Sequence, residues 1–187
     1  TLMTAASIGR LEILQRLISL KASVQLTDKY RRSALHHAVL EDHCASARVL
    51  LDAQAAVDAR DSDGRTALAT ASAYGYKDTL QMLLEAKASV DVQDKSGQTA
   101  LMLATDEICA QALIDAGAQL EMRDAQGNTP LLLAASQGCI AVVQALLVAK
   151  ASLFAKNHGG QTPLALAVKN NRSDVVRVLA QAADEHS

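Results

Sequence analysis

The sequence predicts an all-α solenoid of helix-turn-helix units stacked side by side and joined by β-turn or hairpin loops. Three observations lead there. A hydroxyl residue followed by Ala or Pro and then Leu recurs at Ser33, Thr66, Thr99, Thr129 and Thr162, at spacings of 33, 33, 30 and 33 residues. Self-similarity at such a period marks a repeat architecture. A polar turn with Asp or Asn and Gly precedes most of these hydroxyls, as in Asp61-Ser62-Asp63-Gly64. Finally, the chain is 50% hydrophobic but only 2% aromatic. Compact cores ordinarily take volume from aromatic rings, so packing here must be close, local and built from Ala, Leu and Val.

The stretch Asp61–Gly75 is the most complete copy of the unit. Its Asp can bond the backbone two residues on, and its Gly can take positive φ. Thr66 is a good N-cap for the first helix. At Pro130 and Pro163 the first helical position is proline, which suits it. After two turns of helix a Gly recurs at Gly9, Gly75 and Gly138, and a second apolar-periodic helix follows, such as Leu80, Met82, Leu83 and Leu84. Short connectors close the units at Lys21-Ala22, Gln54-Ala55, Lys87-Ala88, Gly117-Ala118 and Lys150-Ala151. The approximate units are 1–27, 28–60, 61–93, 94–123, 124–156 and 157–187, read as one domain over 1–187. One unit cannot bury its own apolar face; a stack of about three or more can. The small faces at Ala38, Ala71, Ala104, Ala134, Ala135 and Ala167 let neighbouring helices approach closely.

The pattern D-x-x-G-x-T-[AP]-L-x-x-A at a period of 33 residues resembles the ankyrin repeat family, and the resemblance covers essentially the whole chain as about six units. It implies a non-catalytic module that binds another protein through a concave groove lined by turn tips and first helices. Carried onto this sequence, the tips are Thr27, Lys29, Tyr30 and Arg32; Arg60, Ser62, Asp63 and Arg65; Gln93, Lys95, Ser96 and Gln98; Arg123, Gln126 and Asn128; and Lys156, His158 and Gln161. The ends of the first helices add Leu40, Tyr74, Asp106, Gln137 and Asn170. Tyr30, Arg32, Arg65 and Tyr74 cluster in the second and third units, and Tyr and Arg most often dominate interfaces. That end is the expected energetic centre. Two alternatives remain: a targeting or regulatory domain of a larger enzyme or channel, or a structural subunit of a large assembly. The mid-repeat opening at Thr1-Leu2-Met3, without a start Met, suggests a piece of something longer.

Departures from the pattern carry their own expectations. Arg31 stands where the other turns have Gly, so that turn should be strained or differently shaped. Lys21, Gln54, Lys87 and Lys150 replace the connector Gly that survives at Gly117; a kept positive φ costs each about 1 kcal/mol. The family's His after Leu, which ties neighbouring turns, survives only as His36, so the other turns should be looser. The 30-residue fourth unit should have a shortened first helix or inter-helix loop. The last unit ends on Ala182–Ser187, after a second helix with an apolar face of Val175, Val176, Val178 and Leu179.

No catalytic constellation is visible. His36 and His37 point about 100° apart on a helix and cannot share a metal. Cys44 and Cys109 fall at packed registers, whereas Cys139 falls at an exposed one; with three cysteines and no C-x-x-C, neither a disulfide framework nor a zinc site is expected. Gly159-Gly160 fills a turn slot rather than forming a phosphate loop. The acidic groups Asp58, Asp61, Asp63 and Asp91, Asp94 do not have EF-hand spacing and read as a solvated mixed-charge edge. A net charge of -2 and the absence of a basic stripe argue against nucleic acid. No apolar run approaches the roughly 18 residues of a membrane span. No cofactor, metal or small-molecule substrate is expected, and the expected compartment is a reducing, intracellular one, the cytoplasm by default.

Overall fold

The computed structural model describes residues 1–184; Glu185, His186 and Ser187, the end of the last predicted unit, lie outside the described residues. Twelve helices alternate between two rows. The first helices are α1 (Leu2–Ser7), α3 (Ala34–Leu40), α5 (Ala67–Tyr74), α7 (Ala100–Leu103), α9 (Pro130–Gln137) and α11 (Pro163–Lys169). The second helices are α2 (Leu11–Ser19), α4 (Cys44–Asp52), α6 (Lys77–Glu85), α8 (Glu107–Asp115), α10 (Ile140–Val148) and α12 (Ser173–Asp184). Each helix packs on its equivalent in the neighbouring unit and on its partner within the unit. One apolar cluster runs from Leu2 in the first unit to Leu179 in the last, with Leu14, Leu50, Leu83, Leu113 and Leu146 fully buried at its centre.

The caps follow the hydroxyl pattern. Ser33, Thr66, Thr99, Thr129 and Thr162 each accept the backbone N–H three residues on. The turn carboxylates do likewise: Asp28, Asp61, Asp94 and Asp124 each accept from residues two and four ahead, at 2.8–2.9 Å. Arg31 takes φ 59°, and Lys21, Gln54, Lys87 and Lys150 take φ 64–68°, so the positive-φ backbone is kept without glycine.

In the fourth unit, α7 is four residues long against eight in α5 and α9. The chain leaves it extended at Ala104 (φ −61°, ψ 128°), and Asp106 then caps α8 by accepting from Ile108 and Cys109. The three missing residues thus come out of the first helix and its left-handed exit. Among the second-row helices α2, α4, α6, α8 and α10, α8 alone has a side-chain cap of this kind.

Three ladders bind one unit to the next. Along the tips, the N–H groups of Ser62, Lys95, Ala125 and His158 donate to the carbonyls of Tyr30, Asp63, Ser96 and Gln126, at 2.7–3.0 Å. Just before each turn, Arg60, Gln93 and Arg123 donate both to their own turn (Gly64, Gly97, Gly127) and to the next unit (Gln93, Arg123, Lys156). At the connectors, Gln25, Asp58, Asp91 and Glu121 accept from the N–H groups of Ala56, Ser89, Gln119 and Ser152. Asp58 and Asp91 are therefore rungs rather than a solvated acidic edge.

The turns expected to be looser are tied by other means. His36 bridges the second turn to the third, and there the register before the turn holds Thr27. From the third turn onward the imidazole is gone and Arg60, Gln93 and Arg123 supply the tie.

Candidate functional site

A cleft of about 250 Å³ opens between the second and third units, on the side of the turns and first helices. Tyr30 and Arg32 come from one turn, Asp61, Ser62, Asp63 and Arg65 from the next. His36 and Leu40 on α3 and Thr70, Ala73 and Tyr74 on α5 complete the lining. Seven of the residues expected at a recognition surface thus meet at one place: Tyr30, Arg32, Leu40, Ser62, Asp63, Arg65 and Tyr74. Sequence reasoning missed Asp61, His36, Thr70 and Ala73 as lining. The i, i+3, i+4 spacing of Thr70, Ala73 and Tyr74 on one helix face carried that signal.

The two rings of the cleft are held differently. Tyr30 is flanked by cations, with Lys29 Nζ 4.8 Å and Arg32 Cζ 4.9 Å from its ring centroid. Tyr74 stacks on Tyr76 at 5.5 Å with 15° between the planes, yet stays 62% exposed. The Tyr76 hydroxyl in turn donates to the Leu40 carbonyl at 3.4 Å. Stacking orients Tyr74 without hiding it.

The charges are paired close to the backbone. Asp28 accepts from Arg32 Nε at 3.0 Å and meets His37 Nε2 at 3.1 Å, a contact that gives His37 a role beyond packing or solvation. Desolvation pushes the Asp28 carboxyl up, but the N–H groups of Arg32 and Tyr30 and the Arg32 guanidinium outweigh it and hold the group at about 2. Arg65 Nε reaches Asp94 Oδ2 at 3.4 Å; Asp94 is buried while Arg65 stays accessible. Both arginines are anchored by Nε.

His36 is a structural imidazole. Its Nδ1 faces the Ser33 N–H at 3.2 Å and the Ser33 hydroxyl at 2.9 Å, while Nε2 lies 3.2 Å from the Arg65 carbonyl. A carbonyl can only accept, so Nε2 carries the proton and Nδ1 accepts from the Ser33 N–H. Burial lowers the His36 pKa below its ordinary 6.5.

The other expected tip residues divide into two groups. Arg60, Gln93 and Arg123 direct their polar atoms into the inter-unit ladder, and Asn128 holds Asp124 and Asn157. Gln161 contributes its N–H and side-chain oxygen to Asn157, and Gln98 is half-buried behind Asp94. Lys29, Lys95, Gln126, Lys156 and His158 remain exposed at the tips, the His158 ring lying over Gly127, where a Cβ would be 2.6 Å away. Asp106 belongs to the capping of α8 rather than to a first-helix end.

Cys109 is buried, and desolvation together with Asp106 pushes its thiol up to about 12. Cys139, expected to be exposed, is half-buried against the core, and burial raises its pKa against the opposing pull of Arg172. Cys139 immediately precedes α10, and Arg172 of the next unit lies beside the neighbouring Gly138 and donates to the Ser136 carbonyl at 3.2 Å. Among the described residues no cluster of three or more His, Cys, Asp or Glu could hold a metal, and no helix is long and apolar enough to cross a membrane.

Known proteins place this architecture. A family model for ankyrin repeats (three copies) matches residues 2–94, 55–124, 83–157 and 101–187. The crystal structure of an ankyrin repeat domain from Acinetobacter baumannii AYE is similar at a TM-score of 0.86 and 27% identity, covering 97% of both chains. The ankyrin repeat domain of Bcl-3, described as a unique member of the IkappaB protein family, is similar at a TM-score of 0.87 and 26% identity, over 97% of this chain and 85% of that one. No curated protein matches the chain. Matched from residue 2 to residue 187, the chain belongs to the ankyrin repeat family.

Proposed function

We propose that this chain binds a partner protein through its turn tips and first helices, with the cleft between the second and third units as the energetic centre. Ankyrin repeats are a general protein-interaction module, and the chain has that architecture throughout. One observation supports the narrower reading. Tyr30, Arg32, Arg65 and Tyr74, separated by up to 44 positions in sequence, line a single cleft, and the two tyrosines and Arg65 are exposed there. Tyr and Arg anchors beside a semi-enclosed pocket are the usual composition of an interface hot spot.

The surface extends along the exposed tips Lys95, Gln126, Lys156 and His158. Arg60, Gln93, Arg123 and Asn128 hold that surface in shape and are not proposed as contacts. The binding is non-catalytic and takes no cofactor.

Affinity capture from the native source tests this, using the natural chain, Tyr30→Ala/Tyr74→Ala and Tyr30→Ala/Arg65→Ala/Tyr74→Ala. Circular dichroism checks that each variant stays folded. Capture of the partner should fall at least about tenfold in the double variant, the scale expected when two aromatic anchors are lost. Undiminished capture by a folded double variant would sink the reading.

A further inference from the structure

We infer that the opposite side of the stack carries a second docking groove, between α6 and α8, which takes a short cationic amphipathic helix from another protein. The groove holds about 630 Å³ of open volume. The half-buried Leu84 and Ala112 form its floor, the exposed Ile108 stands beside them, and the exposed Glu85, Glu107 and Asp115 stand on its rim. Among the described residues no basic side chain lines it.

The fourth unit makes this groove different from its equivalents. Ile108 occupies the register of Ala45, Asp78, Ala141 and Asp174 in the other units. A small or charged residue suits solvent there; Ile108 is 56% exposed instead. One turn further on, Ala112 stands where Val49, Met82 and Val178 fill the equivalent space; the fifth unit also has an alanine there, Ala145, but pairs it with Ala141 rather than an exposed isoleucine. An exposed isoleucine beside a small alanine, i to i+4 on one helix, forms a knob with a hollow next to it.

Charge selects the occupant. Across α6 and α8 the charged residues are Lys77 against Asp78, Glu85, Glu107 and Asp115. Arg48 reaches Glu85 from α4 at only 3.5 Å, with both side chains more than half exposed, a pairing worth little. The apolar floor favours aliphatic side chains, and the rim favours lysine or arginine beside them. Each wall is a nine-residue helix, about 13 Å long at 1.5 Å per residue. That length matches two to three turns of a helix laid in the groove with apolar residues at i, i+4 and i+7.

The test uses fluorescence anisotropy with three labelled 14-residue helical peptides. One carries leucines at i, i+4 and i+7 among lysines; the second replaces lysine by glutamate; the third replaces leucine by alanine and keeps the lysines. The Leu/Lys peptide should bind at least about tenfold more tightly than either control, and more weakly at high salt. Ile108→Asp should weaken it about tenfold; the equivalent registers hold Asp78 and Asp174, so the helix accepts that residue. Glu85→Gln/Glu107→Gln/Asp115→Gln should weaken it and flatten the salt dependence. Tyr30→Ala/Tyr74→Ala, on the other face, should leave it unchanged. Equal binding of the alanine-lysine peptide would mean unspecific charge attraction and overturn the proposal. So would equal binding of the glutamate peptide, indifference to Ile108→Asp, or loss of binding in the tyrosine variant.

Discussion

His36 Nε2 lies 3.2 Å from the backbone carbonyl of Arg65, 29 residues away in the next unit. The ring therefore joins the cap of one helix to the turn that precedes the next. Because Nδ1 accepts the Ser33 N–H, protonation of the ring would break the cap side of this bridge. Burial lowers the pKa for the same physical reason: the charged form loses its water. With the folded pKa below the unfolded 6.5, the unfolded chain binds the extra proton as pH falls. Stability should drop on acidification below about 6.5, a region that denaturant titrations at pH 7.5 and 5.5 would bracket. His36→Gln should reduce that drop while lowering stability at both pH values by about 1–3 kcal/mol, the scale for disturbing a buried hydrogen-bonded group.

Asp28 works at a lower pH. Its carboxyl is held at about 2, against an ordinary value of 3.8. The depressed value means that its contribution is present above about 3.8 and is lost as pH falls toward 2. Asp28→Asn should flatten the acid limb of the stability curve in that window. An unaltered limb in thermal melts at pH 4 and pH 2.5 would contradict the assignment.

The ladder of Arg60, Gln93 and Arg123 predicts a coupling along the stack. Arg123→Ala removes donors to Gly127 and Lys156 together, and should cost about 1–3 kcal/mol. Amide exchange should then rise first in the fifth and sixth units, since each unit leans only on its neighbours. Uniform exchange along the chain would show that the staple is not local.

The positive-φ connectors predict stabilisation. Lys87→Gly relieves a residue at φ 64° and should raise stability by about 0.5–1 kcal/mol after the extra unfolded-state entropy of glycine is deducted. Gly117→Lys tests the reverse without a steric clash. Its φ is 88°, and an added Cβ would meet nothing within 4 Å, so a loss of about 0.5–1 kcal/mol measures backbone strain net of the unfolded-state entropy that lysine removes. Paired urea melts of the two variants should move in opposite directions.

Removing the cap of α8 addresses the shortened unit. Asp106→Ala leaves the N–H groups of Ile108 and Cys109 without an acceptor and should cost about 1 kcal/mol. The same change also withdraws a neighbour that raises the Cys109 pKa, so the thiol should become slightly more acidic. Thiol titration of the folded variant reads this directly.

The repeat period, the caps and the turn carboxylates were legible because each is a local rule. A threonine three residues ahead of an N–H, or an aspartate two ahead, meets its partner whatever the rest of the chain does. The positive φ at Lys21, Gln54, Lys87 and Lys150 was legible by register alone, from the one surviving Gly117. The shortening in the fourth unit was legible as a length, but the sequence left open how it would be shared. Here the first helix lost a turn, because Asp106 could cap α8 and Ala104 could leave α7 extended.

By itself, the sequence determined the family, the repeat period with its helix caps, and which turn positions vary from unit to unit. Tertiary structure decided which tip donors are engaged within the stack. Arg60, Gln93 and Arg123 look as exposed in sequence as Arg65 does, yet their donors reach carbonyls 30 to 33 residues away. Those carbonyls come within reach only when units stack at the right spacing and offset. The same stacking brings Tyr30 and Tyr74 to one cleft and leaves Ile108 on the opposite face, because the contacts between units are set by packing rather than by neighbours in the chain.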